Sequence, residues 1–190
     1  MADSRWCAQD GREALRAPVR SAKMECRCRL LEGRKGRNMA VEERLAELGL
    51  ELPSAPAPIA NYLRYVQVGN LLFMAGHGPN RAGGPVYAGK VGADVSIDEA
   101  YEAARSTTLN LLASAKEALG DLDRIKRVVK VLGMVNSAPD FGDQPKVING
   151  FSDLMVELFG ENGRHARSAV GMAALPGQIP VEIEMILEVE

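Results

Sequence analysis

The amino-acid sequence predicts an α+β domain in which two helices cover one face of a β-sheet. Two long segments, residues 97–119 and residues 144–159, space their apolar side chains by three or four positions, as amphipathic helices do. Five shorter segments show the alternation or the β-branched runs that are typical of strands. Because two helices of this length can cover only one face of such a sheet, both are expected on the same side.

The first part of the domain predicts a short helix and a β-hairpin. The helix is expected from Val41 to Leu48, where aliphatic side chains fall on one side. The hairpin strands are expected from Tyr62 to Val68 and from Leu71 to Ala75, and the Gly69-Asn70 pair between them suits a tight turn. Three prolines favour an extended connection between helix and hairpin: Pro53, Pro56 and Pro58. The glycine-rich loop after the hairpin lacks the Gly-Lys-Ser/Thr ending of a phosphate-binding loop.

The middle of the chain predicts a helix, a strand and a second helix. Ser96 and Glu99 form a capping-box pattern, in which each side chain can bond the backbone amide of the other residue, and Gly120 supplies a stop. A valine-rich strand is expected from Ile125 to Val135, and the second helix from Gln144 to Phe159.

The C-terminal part of the chain predicts two more strands on either side of a Pro-Gly turn. In the first, Arg167, Ala169 and Gly171 share one face, because strand side chains alternate. The strand from Val181 to Val189 puts only apolar side chains on one face, and on the other it carries Glu182, Glu184, Ile186 and Glu188. We expect Arg167 and these carboxylates to point away from the helices and to form a polar site on the sheet.

The distribution of charge excludes several classes of function. Residues 1–38 carry ten Lys or Arg and five Asp or Glu, so the rest of the 190-residue chain has 13 basic and 20 acidic side chains and a net charge of about −7. An acidic domain disfavours a nucleic-acid partner, which generally needs a basic patch. No apolar run approaches the roughly 20 residues of a membrane-spanning helix, so no membrane partner is expected.

Residues 1–38 are predicted to be a disordered extension. They lack helical or strand periodicity and carry few large aliphatic side chains. Residues 32–37 can be encoded almost entirely by purines, as a translated ribosome-binding site would be, and they stand just before Met39. We therefore expect residues 1–38 to be a gene-start artefact and residues 39–190 to form a single domain. All three cysteines lie in the extension (Cys7, Cys26 and Cys28), so the domain has no thiol and suits a cytoplasmic location.

Three motifs near the C terminus follow one another at a specific spacing: His165-Ala166-Arg167-Ser168, Leu175-Pro176 and Val181-Glu182-Ile183-Glu184. They resemble the C-terminal signature of the reactive intermediate deaminase family, RidA, also called the YjgF or endoribonuclease L-PSP family. The resemblance covers about residues 58–190. It implies a chorismate-mutase-like fold, with a mixed β-sheet and two helices packed on one face. It also implies a homotrimer with sites in the clefts between neighbouring subunits, which agrees with an uncovered sheet face that carries Ile186, Ala75 and Ala169.

The resemblance implies roles for four residues. Arg167 matches the arginine that binds the substrate carboxylate, and Glu182 matches the glutamate that handles the hydrolytic water. Tyr62 and Asn149 match a tyrosine and a helix asparagine of the substrate-binding site. Arginine suits a carboxylate, because its planar fork donates two parallel hydrogen bonds. A structural ion pair between Arg167 and Glu182 is the alternative.

The sequence departs from the family pattern at three places. Ala75-Gly76-His77 stands in place of Ser-Gly-Gln, His165 in place of a proline, and Ala169 in place of a common cysteine. Two polar groups are lost and two imidazoles are gained, so His77 or His165 is expected to take the proton-transfer role. A hydrogen-bonded structural histidine is the alternative for each. Two histidines with Glu182 are few ligands for zinc, so no metal and no cofactor are expected.

The resemblance implies an enamine/imine deaminase that hydrolyses a small 2-imino acid to a 2-keto acid and ammonia. The first alternative is a non-catalytic trimeric module that binds a small carboxylate metabolite, which the apolar Ala75 and Ala169 favour. The endoribonuclease activity in the older family name is a weaker alternative, because the acidic domain would repel a phosphate backbone. Chorismate-mutase-like chemistry would require more cationic groups around a dicarboxylate than the motifs supply.

Overall fold

The computed structural model describes residues 40–55, 61–79 and 87–190, which lie in one compact unit, Met39–Glu190. The predictions for residues 1–38, for Pro56 and Pro58 and for most of the glycine-rich loop fall outside the described residues. The helices are α1 Val41–Glu47, α2 Ile97–Leu119 and α3 Gln144–Phe159. The strands are β1 Tyr65–Val68, β2 Leu71–His77, β3 Ile125–Asn136, β4 Ala166–Met172 and β5 Val181–Val189. No helix in the described ranges is long and apolar enough to cross a membrane.

The five strands form one mixed sheet in the order β1-β2-β5-β3-β4. β3 and β4 run parallel, with α3 connecting them, and the other neighbours are antiparallel. The predicted α+β class and the mixed sheet are confirmed. β5 lies at the centre, so the C-terminal strand of the sequence is the one around which both halves of the sheet are built.

The register shows that both long helices cover the same face of the sheet. His77 of β2 and Gly133 of β3 both pair with Ile183 of β5, and paired residues of neighbouring strands point to the same side. His77 contacts Ser114 of α2, and a Cβ on Gly133 would lie 2.6 Å from the side chain of Ile148 in α3. The prediction that the two helices share one side of the sheet is therefore confirmed.

The first hairpin differs from its prediction at both ends. Gly69 turns the chain with φ of 60°, as expected, but β1 begins at Tyr65 rather than Tyr62. β2 continues to His77, because the register shifts between Met74 and His77 and lets the strand pair further along β5. A bulge of this kind leaves no periodic signal in the sequence, since it inserts an extra residue into an otherwise regular alternation.

The core follows the predicted pattern closely. The apolar face of β5 is buried, with at most 1% of any side chain exposed: Val181, Ile183, Met185, Leu187 and Val189. At the start of α2, the Glu99 amide donates to Ser96 Oγ at 3.2 Å and the Ser96 amide donates to Glu99 Oε2 at 2.9 Å, so the capping box is formed. Gly120 ends the helix with φ of 80°.

The other face of the sheet has no helix over it and exposes large apolar side chains. Val66, Val68, Phe73 and Val170 are 47%, 62%, 40% and 40% exposed. A shallow pocket of about 350 Å³ lies on this face and is lined mainly by apolar groups, with Lys130 and Glu184 among them. We call this surface the open face.

Gly150 lets α2 and α3 approach each other closely. A Cβ at this position would overlap the Tyr101 carbonyl and lie 3.3 Å from the Ala104 side chain, whereas a Cβ on Gly142 would meet nothing within 4 Å. We expect Gly150→Ala to lower the free energy of unfolding by about 1–3 kcal/mol, the usual effect of overpacking. Gly142→Ala is the control and should change it by less than about 0.5 kcal/mol. Urea unfolding of both variants checks this, and equal stabilities would contradict the close helix contact.

Candidate functional site

Arg167 lies at the edge of the sheet, on the helix-covered face. It pairs with Val131, which is fully buried, and its guanidinium reaches residues of α3. The prediction that Arg167 points away from the helices is wrong. The prediction that Ala169 lies on the uncovered face is also wrong, because Ala169 pairs with Gly133 and packs against the core. The larger apolar side chains of β4, Val170 and Met172, lie on the face opposite to Arg167, so the alternation along this strand favours the wrong face as the inner one.

The guanidinium of Arg167 is held by three groups of α3. Nη1 donates to Asn149 Oδ1 at 3.0 Å and to Ser152 Oγ at 2.9 Å, and Nη2 donates to the Pro145 carbonyl at 3.3 Å. Both N–H groups of Nη1 are thus engaged, while Nε donates to none of the described residues. Burial lowers the pKa of Arg167, and the charge of Asp153 acts in the opposite direction. Arginine stays cationic in proteins, so the site holds a positioned positive charge with donors to spare.

His165 lies beside Arg167 and is bonded through both ring nitrogens. Nδ1 is 2.7 Å from the Gly163 carbonyl, and Nε2 is 3.1 Å from Ser152 Oγ. The ring also makes an edge contact with Phe151, at a centroid distance of 5.5 Å. Burial lowers the pKa of His165, and the charge of Arg167 lowers it further against the opposing hydrogen bond to Gly163. The imidazole is therefore neutral around pH 7.

His77 lies elsewhere, beneath α2. Its side chain is buried, with Nδ1 2.7 Å from the Ala75 carbonyl and Nε2 2.8 Å from Ser114 Oγ. Burial lowers the pKa of His77, and the charge of Arg64 lowers it further. The two histidines thus do not meet, and a catalytic role for His77 stays a prediction made on the family pattern alone.

Glu182 lies on the open face, opposite to the face that carries Arg167. It pairs with Met134, one residue away from the core-facing Ile183. Its carboxylate lies against Gly76, where a Cβ would be 3.1 Å from Glu182 Cγ. Burial raises the pKa of Glu182, and the charge of Glu184 raises it further. No described residue donates a hydrogen bond to this half-buried carboxylate.

Within one chain, the predicted site residues fall into separate groups. Arg167, Asn149 and His165 come together, whereas Glu182 lies across the sheet and His77 is in the core. Tyr62 is 47% exposed and precedes β1, at the sheet edge opposite β4. Four strand-to-strand steps of about 4.8 Å separate those edges, so roughly 19 Å of sheet lies between them.

Two residues of these groups were not anticipated from the sequence. Ser152 follows Asn149 by three positions on a helix, so the two share a face, and that spacing was the available signal. Gly76 leaves space for the Glu182 side chain. This contact could not be predicted without the register of β2 against β5. Within residues 40–55, 61–79 and 87–190, no group of three or more His, Cys, Asp or Glu side chains is placed to hold a metal ion.

Comparison with known proteins identifies the family. The family model described as "YjgF/chorismate mutase-like, putative endoribonuclease" matches residues 42–181. The chain belongs to the YjgF/RidA family. Protein TCP17 of Trypanosoma cruzi is 45% identical over 149 residues, which cover 78% of this chain and 93% of that protein. The predicted recognition is thereby confirmed.

Two further proteins are similar to this chain. A protein of Dermatophagoides farinae named 2-iminobutanoate/2-iminopropanoate deaminase is 33% identical over 142 residues, covering 74% of this chain and 95% of that protein. Atu1372 from Agrobacterium tumefaciens, a protein of unknown function, has a sequence 47% identical to this chain, and its crystal structure matches this fold with a TM-score of 0.73. It covers 79% of this chain and 92% of the Atu1372 chain.

The lowered pKa values of His77 and His165 predict a stability that falls on acidification. The unfolded chain takes up protons at about pH 6.5, while the folded chain keeps both rings neutral to lower pH, so the free energy of unfolding decreases between pH 7.5 and 5.5. The slope is at most about 1.4 kcal/mol per pH unit for each ring. Glu182 has the opposite effect on the free energy of unfolding. Its pKa is raised in the folded state, so the folded chain binds this proton more tightly than the unfolded chain, and acidification stabilises the fold at this residue.

Urea unfolding at several pH values measures this effect, and His165→Gln separates the histidine contribution from that of Glu182. The variant should lose stability less steeply than the wild type as the pH falls. Parallel curves for the two proteins would show that His165 is not kept neutral by the fold.

Proposed function

We propose that this member of the YjgF/RidA family is an enamine/imine deaminase, which hydrolyses a small 2-imino acid to a 2-keto acid and ammonia in clefts between the subunits of a homotrimer. The observation that carries the proposal is the guanidinium of Arg167, which is fixed to α3 through Nη1 and whose Nε donates to no residue in the described part of the chain. The deaminase name of the Dermatophagoides farinae relative, 33% identical to this chain, supports the same reaction class.

Arg167 binds the substrate carboxylate in this proposal. Nε and Nη2 lie on the same edge of the guanidinium and can donate two parallel hydrogen bonds to one carboxylate. Arg167 is partly buried, which lowers its pKa, so its charge is less screened than at an open surface. Asn149 Oδ1 already accepts from Arg167, which leaves the Asn149 amide NH₂ as a further donor beside the bound acid.

Glu182 is the proposed general base for water. Its carboxylate is half-buried, accepts no hydrogen bond from the described residues and has a raised pKa, which brings its basicity closer to that required near neutral pH. Water oxygen attacks C2 of the imine while Glu182 takes a proton from the water, and the C=N electron pair moves to the nitrogen, which receives that proton from Glu182. Glu182 then takes the hydroxyl proton of the resulting carbinolamine and passes it to the nitrogen as the C–N bond breaks, which releases ammonia and the 2-keto acid.

Two copies of the chain are required for this site. Arg167 and Glu182 lie on opposite faces of one sheet, so a single chain does not bring them to one substrate molecule. Tyr62 stands at the opposite edge of the sheet from Arg167, and a neighbouring copy can place it at the β4 edge. The exposed apolar side chains of the open face, including Val68 at 62% and Phe73 at 40%, support its burial against other subunits. A closed three-fold ring uses one such contact three times.

A non-catalytic carboxylate-binding module is the second candidate. The two histidines favour it, because all four of their ring nitrogens are hydrogen-bonded within the fold. Glu182 is then the one predicted catalytic residue left to transfer protons. The side chains that stand in place of family serine and cysteine, Ala75 and Ala169, supply no polar group. The module would keep Arg167 as the carboxylate anchor and would show no turnover.

The first test replaces the anchor. Arg167→Lys should weaken the binding of 2-oxobutanoate by roughly ten- to a hundredfold, because a lysine ammonium does not reproduce a bidentate pair and charge-assisted hydrogen bonds contribute about 1.5–3 kcal/mol. Calorimetric titration measures the affinity. Arg105→Lys, which alters an arginine paired with Glu157 between the helices, is the control and should bind like the wild type. Equal affinities for the Arg167 variant and the wild type would remove the carboxylate anchor.

The second test asks whether one site uses two chains. Arg167→Lys and Glu182→Gln are each expected to abolish ammonia release from 2-iminobutanoate generated in situ. Co-refolded in equal amounts, the two variants should regain about a quarter of wild-type activity, because random mixing leaves about one interface in four with both native residues. No recovery, with mixed oligomers present, would contradict a shared site. An inactive wild type that still binds 2-oxobutanoate would favour the non-catalytic module.

A further inference from the structure

A hydrogen-bonded chain links Arg167 to His165 through Ser152. Arg167 Nη1 is 2.9 Å from Ser152 Oγ, Ser152 Oγ is 3.1 Å from His165 Nε2, and His165 Nδ1 is 2.7 Å from the Gly163 carbonyl. Gly163 is buried, the three side chains are partly buried, and Phe151 makes an edge contact with the imidazole. The proposed reaction uses neither Ser152 nor His165. It therefore does not explain why these hydrogen bonds are formed.

The chemistry of the end groups fixes the direction of every bond. A guanidinium only donates, so Ser152 Oγ accepts from Arg167. A backbone carbonyl only accepts, so His165 Nδ1 carries the proton that bonds Gly163. In the neutral ring Nε2 is then an acceptor, and the Ser152 hydroxyl donates to it. Each group is left with one consistent role, and Ser152 turns its lone pairs toward Arg167.

We propose that Ser152 and His165 are positioning residues, which hold the Arg167 guanidinium so that its Nε–Nη2 edge faces the substrate carboxylate. This inference rests on the proposed function. Asn149 Oδ1 and Ser152 Oγ take both N–H groups of Nη1, so the guanidinium does not present its Nη1–Nη2 edge to a ligand. His165 acts through Ser152, because its Nε2 accepts the Ser152 hydroxyl proton. That proton therefore does not point at Arg167, and the Ser152 oxygen remains an acceptor for the guanidinium. The ligand class is then a planar carboxylate bound side-on.

The same contacts argue against His165 as the proton-transfer group. Its Nε2 lone pair faces Ser152, and its Nδ1 proton faces Gly163, so neither nitrogen is directed at a substrate held by Arg167. Protonation of Nε2 would also place a second cation at the oxygen that accepts from Arg167, which electrostatic repulsion opposes.

The test uses the full chain and two independent readouts. The first is ¹⁵N NMR of the Arg167 side chain, which reports rotation about the Nε–Cζ bond. We expect slow rotation in the wild type and fast rotation in Ser152→Ala, because the variant loses an Nη1 acceptor. Ser114→Ala is the matched control, since it removes the same kind of serine-to-histidine bond at His77, away from Arg167. Unchanged rotation in Ser152→Ala would overturn the inference.

The second readout is the dissociation constant for 2-oxobutanoate. We expect Ser152→Ala and His165→Leu each to raise it by roughly three- to tenfold through lost pre-organisation, and Ser114→Ala to leave it unchanged. The double variant should bind no more weakly than Ser152→Ala alone, because both residues act through one hydroxyl. His165→Gln, which keeps an acceptor, should recover part of the loss.

The outcomes separate this inference from the proposed function. Additive losses in the double variant, or wild-type affinity in Ser152→Ala, would overturn the positioning role while leaving Arg167 as the anchor. Should the wild type bind no 2-oxobutanoate, the proposed function fails, and the NMR comparison alone decides whether Ser152 and His165 hold the guanidinium.

Discussion

The structure depends on the burial of one face of β5. This strand lies at the centre of the sheet, and its five inward side chains have no polar interruption and almost no exposure. Such a face is stable only under a layer of helices, since each large aliphatic side chain gains about 1.5–3 kcal/mol on full burial. The positions of α2 and α3, and the pairing of β2 and β3 on either side, follow from that requirement.

The two faces of the sheet also decide how the polar groups are distributed. Alternation along β5 directs Glu182 to the open face whenever Ile183 is in the core. Arg167 pairs with the buried Val131 and is directed to the helix side, where it lies at the sheet edge and reaches polar groups of α3. Side-chain movement does not carry a group through a hydrogen-bonded sheet. The separation of these two charges is therefore a property of the fold rather than of one conformation.

The two histidines show the same local arrangement at two places. Each is bonded through Nδ1 to the carbonyl two residues earlier, and through Nε2 to a serine on a helix: Ser114 for His77 and Ser152 for His165. The pair at His77 joins α2 to the end of β2, and the pair at His165 joins α3 to the start of β4. Satisfying both nitrogens of a buried or half-buried imidazole avoids the cost of an unpaired polar group. The difference between them is that Ser152 also accepts from an arginine.

The sequence by itself determined the helices, the approximate course of the strands and the inner face of β5, because capping residues, glycine stops and strand alternation are local signals. The bulge that extends β2 to His77 lay outside those signals. Gln144–Phe159 and the Ser96–Glu99 capping box needed no tertiary information. The family resemblance selected Arg167 and Glu182. The tertiary structure decided which face Arg167 occupies, since the apolar Val170 and Met172 of β4 favour the opposite face as the inner one. It also decided that Ser152 joins Arg167 to His165. Those contacts depend on how α3 lies over the sheet edge, which is set by the packing of the whole core.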